Sequence, residues 1–284
     1  MKLVRFGDAG QERPGLYEAA GKIRDLGGIV PDLAGDALLP ASLARIAAIP
    51  VEELPLVPGT PRLGAPVGRP GNFIAIGLNY ADHAAETGAE IPSEPVIFSK
   101  APNCIVGPDD DVMLPRGSTK LDWEVEIAIV IGAGGSCIAR SEALRHVAGF
   151  CICNDVSERE FQIERNGQWV KGKSAPTFGP LGPWLVTPEE IGDVQKLSMW
   201  LDVNGRRRQT GSTSTMIFDI ATVIAYVSEF IRLDPGDIIT TGTPPGVALG
   251  MKPPVYLKEG DVMTLGIEGL GEQRQSVVGW RKAG

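Results

Sequence analysis

Between positions 121 and 132 the chain reads LDWEVEIAIVIG, and its odd positions, Leu121, Trp123, Val125, Ile127, Ile129 and Ile131, are all apolar. A strand sends successive side chains to opposite faces, so this stretch buries one complete face. The other face carries Asp122, Glu124 and Glu126 before turning apolar at Ala128 and Val130, which sets two glutamates side by side at the polar end of a core strand. The same reading gives short strands in KLVRF, PGLYEA and KIRDL, then in NFIAIGLNY, EPVIFSK, around CIVGP, in FCICND, in DIITTGTPPGV and along the C-terminal stretch. ASLARIAAI reads as a short helix with Ser42 near its start and Pro50 at its end, ADHAAETG as about two helical turns, and SEALRHVAGF as a helix. Ser157 and Glu160 form a capping-box pattern for a helix running through Ile163. LSMWLDVNGRRRQT reads as a hairpin turning at Asn204-Gly205. MIFDIATVIAYVSEFIRL is the one long helix expected, apolar over most of its circumference and so largely buried.

Six prolines between Pro50 and Pro70 are incompatible with a helix or an inner strand and mark an extended linker. We therefore expect a small N-terminal α/β domain with its Pro-rich linker over residues 1–65, and a catalytic domain over residues 66–284. Many strands, few helices and no regular strand–helix alternation place the larger part in the α+β class, mostly β.

Composition narrows the function. The 284 residues are 43% hydrophobic with a mean hydropathy of +0.03, a soluble globular balance. No apolar run approaches the ~20 residues of a membrane span, and the N-terminus lacks the apolar core of a signal peptide, so the expectation is a cytoplasmic protein with no membrane partner. A net charge of -8 argues against nucleic acid as a partner, and the basic cluster Arg206, Arg207 and Arg208 reads as a solvated hairpin rim. The cysteines at 104, 137, 151 and 153 lack zinc or redox spacing and are expected as buried reduced thiols. Two histidines in the whole chain all but exclude a histidine-built zinc site.

The candidate chemistry starts from Glu124 and Glu126. Either they are a solvated strand end, or they are half of a divalent metal site, because like charges so placed raise a pKa unless a cation sits between them. Asp155, on a turn at the end of FCICN, can complete the set, and three carboxylates with waters suit Mg²⁺ or Mn²⁺. Arg159 and Gln162 are three apart and share a helical face that can hold an anionic substrate end. Alternatively, Arg159 pairs with Asp155 or Asp122 as a structural salt bridge. His83 and Glu86 have the spacing of a water-activating dyad in which the carboxylate orients the imidazole; His146 reads as structural. Residues 167–174, GQWVKGKS, match the phosphate-loop pattern literally, but Ala175-Pro176 and Gly179-Pro180 preclude the helix that pattern needs, and nucleotide binding is rejected. Lys173 within it is either a surface lysine or a functional cation.

NYADHAAE, DWEVEIAIVIG, NDVSEREFQ, GQWVKGKS and TGTPPGVALG, in this order, resemble the fumarylacetoacetate hydrolase family over roughly residues 70–280. The resemblance implies a mixed β-sandwich roll that assembles as a homodimer or higher homo-oligomer. Glu124, Glu126 and Asp155 match the metal ligands, for Mg²⁺ with Mn²⁺ or Ca²⁺ as alternatives. His83 and Glu86 match the catalytic dyad and Lys173 the active-site lysine. Arg159, Gln162 and Thr243 match substrate-binding residues, with Tyr80 set beside them. The implied reaction is hydrolysis of a carbon–carbon bond in a 2,4-dioxo acid, with 2,4-diketo-3-deoxy-L-rhamnonate, split to pyruvate and L-lactate, as the substrate the run ERNGQWVKGKSAPTFGPLGPWLVT favours. An acylpyruvate hydrolase, an oxaloacetate decarboxylase and a hydroxy-dienedioate isomerase are the alternatives within the family, and a structural Ca²⁺-binding module is the alternative outside it. Two departures, KSAPTF where KSFDTF is usual and RQTGSTSTMIF where RQDGNT is usual, bear on substrate identity. Residues 80–95 are expected to act as a lid over bound substrate.

Overall fold

The computed structural model describes residues 1–18, 21–82 and 90–281. Its larger sheet contains β1 (Lys2–Phe6), β2 (Arg13–Tyr17), β3 (Ile23–Asp25), β4 (Phe73–Gly77), β5 (Val96–Lys100), β6 (Val125–Ile131), β7 (Val147–Asn154), β8 (Gly179–Val186) and, later in the chain, β11 (Ile238–Thr240). Their order across the sheet is β3-β2-β1-β8-β7-β6-β11-β4-β5. β11 and β4 run parallel while β6 and β7 run antiparallel, so the sheet is mixed. A second sheet is formed by β9 (Ser198–Val203), β10 (Arg206–Ser212), β12 (Val262–Ile267) and β13 (Gly271–Val278), in the order β10-β9-β12-β13, with the short strand Val112–Met113 parallel to β13 at its edge. The fold is thus mostly β with few helices.

β6 and β7 sit mid-sheet, and every residue of both is buried. Buried glutamines of β13 tie the second sheet to the first: Gln273 Nε2 donates to Ile152 O at 2.9 Å, and Gln275 Oε1 accepts from Asn154 Nδ2 at 3.0 Å. One apolar cluster joins Leu3, Ile127, Ile152, Val223 and Leu265, so a single core backs the strands that carry the carboxylates.

The N-terminal segment is continuous with this sheet. β1 pairs with β8 at Lys2 and Val186, and Leu63–Gly64, from the proline-rich stretch, pairs with β1. β1, β2 and β3 therefore extend the edge of the large sheet, and Leu63–Gly64, within the stretch expected as a linker, is paired to it. α1 (Pro40–Ala47) forms with Pro40 in its first turn, where a missing N–H costs nothing.

Several local expectations are corrected. The predicted strand over residues 121–132 is broken: Leu121–Asp122 pairs with Ser157–Glu158 as a separate ribbon, and β6 starts at Val125. SEALRHVAGF does not form a helix. Ala143–His146 is one tight turn and Val147 already begins β7, because that strand gains sheet partners from β6 along most of its length and from β8 at Phe150, Ile152 and Cys153. The Ser157–Glu160 capping box is not made. Ser157 Oγ donates to Asp155 O at 2.9 Å, and Glu158 instead meets the backbone N–H groups of Lys120 and Phe161 at 2.8 and 2.7 Å. Glu160–Glu164 then form a π-turn, a wider coil often found at functional sites. The apolar run after Met216 gives only α3 (Ile220–Phe230), capped by Asp219 Oδ1 accepting from Thr222 N at 2.7 Å. Phe230 at its end is 64% exposed, so one face of α3, not most of it, is buried. Cys104, Cys151 and Cys153 are buried as expected, but Cys137 is exposed. The Asn204-Gly205 hairpin forms, both residues at positive φ. No described helix is long and apolar enough to cross a membrane.

Candidate active site

The register of β6 and β7 brings the carboxylates together. Val125 lies opposite Asn154 and Glu126 opposite Cys153, so Glu124 and Asp155, just beyond the last pair, come side by side, and Asp155 N–H donates to Glu124 O at 2.9 Å. Asn154 braces this corner by accepting from Glu124 N–H at 3.1 Å. One oxygen each of Glu124, Glu126 and Asp155 lies within 4.8 Å of the other two, and all three residues are buried. The solvated-strand-end reading of the two glutamates is thereby excluded.

Three buried cations face them. Lys173, at the end of a four-residue helix α2 (Val170–Lys173), donates to Glu124 Oε2 at 2.7 Å and to Asp155 Oδ2 at 2.8 Å. It reaches them because α2 lies against the π-turn at Gly172, where a Cβ would stand 2.5 Å from Gln162 N and Glu158 O. Arg159 donates from Nε to Asp122 Oδ2 at 2.8 Å, from Nη2 to Glu124 Oε1 at 2.6 Å and from Nη1 to Gln162 Oε1 at 3.0 Å. Arg159 and Gln162 do share a face, and the arginine's ion pairs are with Asp122 and Glu124, not Asp155. Asp122, one of the two partners expected for Arg159, also accepts from Ala248 and Leu249 N–H at 2.7 and 3.1 Å, so it fixes both Arg159 and the loop after Gly246.

Lys100 is the residue that sequence reasoning missed. It ends β5 fully buried, with Nζ 2.6 Å from Asp155 Oδ1, which accepts no well-directed hydrogen bond, and it also bonds to the Lys173 carbonyl. Burial is the largest single influence and works against its charge, but the neighbouring groups, Asp155 foremost, together outweigh it, so its pKa lies above the ordinary lysine value. The only sequence signal is that VIFSK closes an apolar strand on a lysine.

Thr243 lines the same cavity, donating to Val125 O at 2.9 Å and accepting from Gln209 Nε2 at 2.8 Å. Gly242, in the left-handed region at φ 93°, turns its N–H to Glu126 Oε2 at 2.9 Å. Tyr80 is fully buried and its hydroxyl donates to Met199 Sδ at 3.3 Å, away from the cavity lining. Burial and then the Glu126 charge push its pKa up. His83 and Glu86 lie outside the described residues, as do residues 83–89 of the expected lid. His146 Nδ1 is 2.6 Å from Ala133 O, a structural contact.

The cavity beside the carboxylates measures about 260 Å³ and is lined on its polar side by Glu124, Glu126, Arg159, Gln162, Lys173 and Thr243. A larger hollow of about 460 Å³ lies near Arg5, Glu12 and Arg62, where both of these arginines are already paired with Glu12.

The donor set fits a hard divalent cation. Among the described residues, Asp122, Glu124, Glu126 and Asp155 place four buried carboxylates against Lys100, Arg159 and Lys173, one negative charge more than these cations balance. Burial, then the charges of Asp155 and Glu124, hold Glu126 well above the usual carboxylate range in spite of Lys173. A group whose folded pKa exceeds its unfolded one costs stability as pH rises from the unfolded value, about 4.5, through the folded one. A bound dication removes that cost. The rise in Tm on replacing EDTA by Mg²⁺ is therefore expected to be larger at pH 8.0 than at pH 5.5, by roughly 2–4 °C for each kcal/mol regained. Scanning fluorimetry checks this, and an equal or smaller rise at pH 8.0 counts against a metal on these carboxylates.

A mixed β fold with a buried three-carboxylate centre beside a lysine and an arginine defines a metal-dependent enzyme of small molecules. The chain belongs to the fumarylacetoacetate hydrolase family: residues 72–278 match the family described as fumarylacetoacetate (FAA) hydrolase, C-terminal. A Burkholderia multivorans protein provisionally named a hydrolase is 59% identical over 276 residues, covering 97% of this chain and 98% of that one. Among solved structures, the fumarylacetoacetate hydrolase of Exiguobacterium antarcticum is 40% identical with a TM-score of 0.86, covering 99% of this chain and all of that one. A 5-carboxymethyl-2-hydroxymuconate delta-isomerase of Mycobacterium smegmatis is 32% identical with a TM-score of 0.79 over the same shares. The family thus holds hydrolases and isomerases, and the chain is one of its enzymes.

Proposed function

We propose that this enzyme hydrolyses a carbon–carbon bond of a 2,4-dioxo acid, releasing pyruvate and a second acid. The observation that carries the reading is the Glu124, Glu126 and Asp155 centre with Lys173 and Arg159 beside it in one small cavity. These three carboxylates hold the metal, proposed as Mg²⁺ with Mn²⁺ or Ca²⁺ as substitutes; it supplies Lewis-acid stabilisation of charge developing on the 2-oxo acid half. Arg159, held by Asp122 and Glu124, and Gln162, whose Oε1 it occupies, present their remaining N–H groups to the substrate's anionic end. Lys173 offers N–H donors where negative charge grows on the cleaving bond. His83, oriented by Glu86, takes the proton of the water that attacks the C4 carbonyl. Oxygen then bonds to C4, the C3–C4 bond breaks, and C3 leaves with the electron pair as an enolate that takes up a proton to become pyruvate.

The substrate we favour is 2,4-diketo-3-deoxy-L-rhamnonate, whose second product is L-lactate, placing the enzyme in sugar-acid breakdown. We further propose a cytoplasmic homodimer or larger homo-oligomer, on the family resemblance. Purified protein with Mg²⁺ and this substrate is expected to release pyruvate. No pyruvate above a Glu124→Ala control removes the sugar-acid assignment, and faster pyruvate release from acetylpyruvate makes it a simple acylpyruvate hydrolase. The isomerase reading, which the likeness to the Mycobacterium smegmatis delta-isomerase favours, predicts a shift of the dienedioate absorbance with no pyruvate.

A further inference from the structure

We infer that the part of the substrate beyond its 2-oxo acid end is uncharged and largely apolar, a short acyl group and not a second carboxylate; this rests on the hydrolase reading of the same site. Apart from its ionic residues the cavity is lined chiefly by Leu78, Phe98, Ile163, Trp169 and Leu249. This apolar lining begins where the ionic cluster stops: the Phe98 ring centre lies 5.1 Å from Lys173 Nζ, and Trp169 packs edge-on to Phe98 at 5.1 Å.

Leu78 is placed there against its own preference. Its φ of 52° is in the left-handed region, which a bulky side chain adopts only when its surroundings enforce it. The enforcement is Asn79, fully buried, whose Nδ2 donates to Phe218 O at 3.0 Å and to Thr241 O at 2.8 Å while Oδ1 accepts from Phe218 N–H at 2.8 Å. Strain held in this way at the rim of a cavity marks a lining that is built.

Among the described residues, the cations at this cavity are already paired. Arg159 and Lys173 are committed to Asp122, Glu124 and Asp155, and Lys100 is fully buried against Asp155. On the segments flanking the π-turn, Lys120 pairs with Glu164, Arg165 with Glu160, and Lys171 bonds to the Arg165 carbonyl. An ionised group set against apolar walls loses its hydration without recovering it, whereas a methyl or short alkyl group gains from burial there.

Two six-carbon 2-oxo acids that lack the 4-oxo group isolate this preference from turnover: 2-oxohexanoate ends in a methyl and 2-oxoadipate in a carboxylate. Titrated calorimetrically into the Mg²⁺-loaded protein, 2-oxohexanoate is expected to bind at least about tenfold more tightly. Ile163→Lys, at a half-exposed position outside the ionic cluster, is expected to narrow that ratio by placing a cation on the wall. Equal or tighter binding of 2-oxoadipate to the native protein, or no measurable binding of 2-oxohexanoate, overturns the inference. Pyruvate release from a 2,4-dioxo acid is scored separately, so a wrong reaction and a wrong wall give different results.

Discussion

Replacing Glu126 by glutamine is expected to lower kcat/KM by roughly 10³-fold, the several kcal/mol a Lewis-acid cation supplies to a transition state. The change is nearly isosteric, and glutamine Oε1 can still accept the Gly242 N–H that Glu126 accepts at 2.9 Å. What is lost is charge. Among the described residues, the buried cluster changes from one negative charge more than its cations balance to none, so a dication would enter a site already neutral. Mn²⁺ binding, followed by electron paramagnetic resonance without substrate, is expected to weaken at least about tenfold. Stability separates this from simple damage. Because burial and the Asp155 and Glu124 charges hold Glu126 above its ordinary pKa, the native metal-free protein bears a cost at neutral pH that the variant lacks. In EDTA at pH 8.0 the variant is therefore expected to melt no lower than the native protein. A variant that melts lower in EDTA, yet gains as much from Mg²⁺ as the native protein does, would show that Glu126 serves the fold and not the metal.

How much of this was legible before the fold was known depends on which physical cause placed each residue. Glu124 and Glu126 stood out because two-residue periodicity is a property of the chain itself, and Asp155 because it ends an apolar strand; the register of β6 and β7 then does bring them together. Arg159 and Gln162 were paired by spacing, and the π-turn keeps them in contact. Lys100 was invisible, because only the parallel pairing of β4 with β11 and the antiparallel pairing of β5 with β4 carry its strand to the carboxylates, and nothing local in VIFSK encodes a neighbour 55 positions away. Asp122 was offered only as one of two possible partners of Arg159, and its hold on the loop was hidden for the same reason: Ala248 and Leu249 are distant in sequence. The errors have the opposite origin. SEALRHVAGF has local helical preference and Ser157–Glu160 a local capping pattern, but sheet pairing of Val147–Asn154 and the ribbon at Ser157–Glu158 outweigh both. Tertiary pairing thus both hid one buried lysine beside the carboxylates and overrode two helix signals.

Lys173→Met is expected to lose turnover and keep the metal, a split that no ligand substitution should produce. In the structure Lys173 Nζ holds Glu124 Oε2 at 2.7 Å and Asp155 Oδ2 at 2.8 Å, oxygens of two of the three carboxylates assigned to the cation. Its ammonium therefore competes electrostatically with a metal for the same negative charge, and removing it leaves the cluster one charge more negative. Mn²⁺ affinity should hold or rise. Methionine keeps most of the volume beside Phe98 and the apolar part of the stem, so α2 has no packing reason to move. Turnover depends on the N–H donors themselves, and deleting a donor from a developing oxyanion costs about 10²–10³-fold in kcat. The same variant should be less stable than the native protein in EDTA, because Glu124 and Asp155 then lose a buried partner, and Mg²⁺ should recover more of that loss than it does for the native chain. If instead Mn²⁺ affinity falls in step with kcat, Lys173 acts by shaping the carboxylates, and the charge it was assigned on the cleaving bond belongs to another residue.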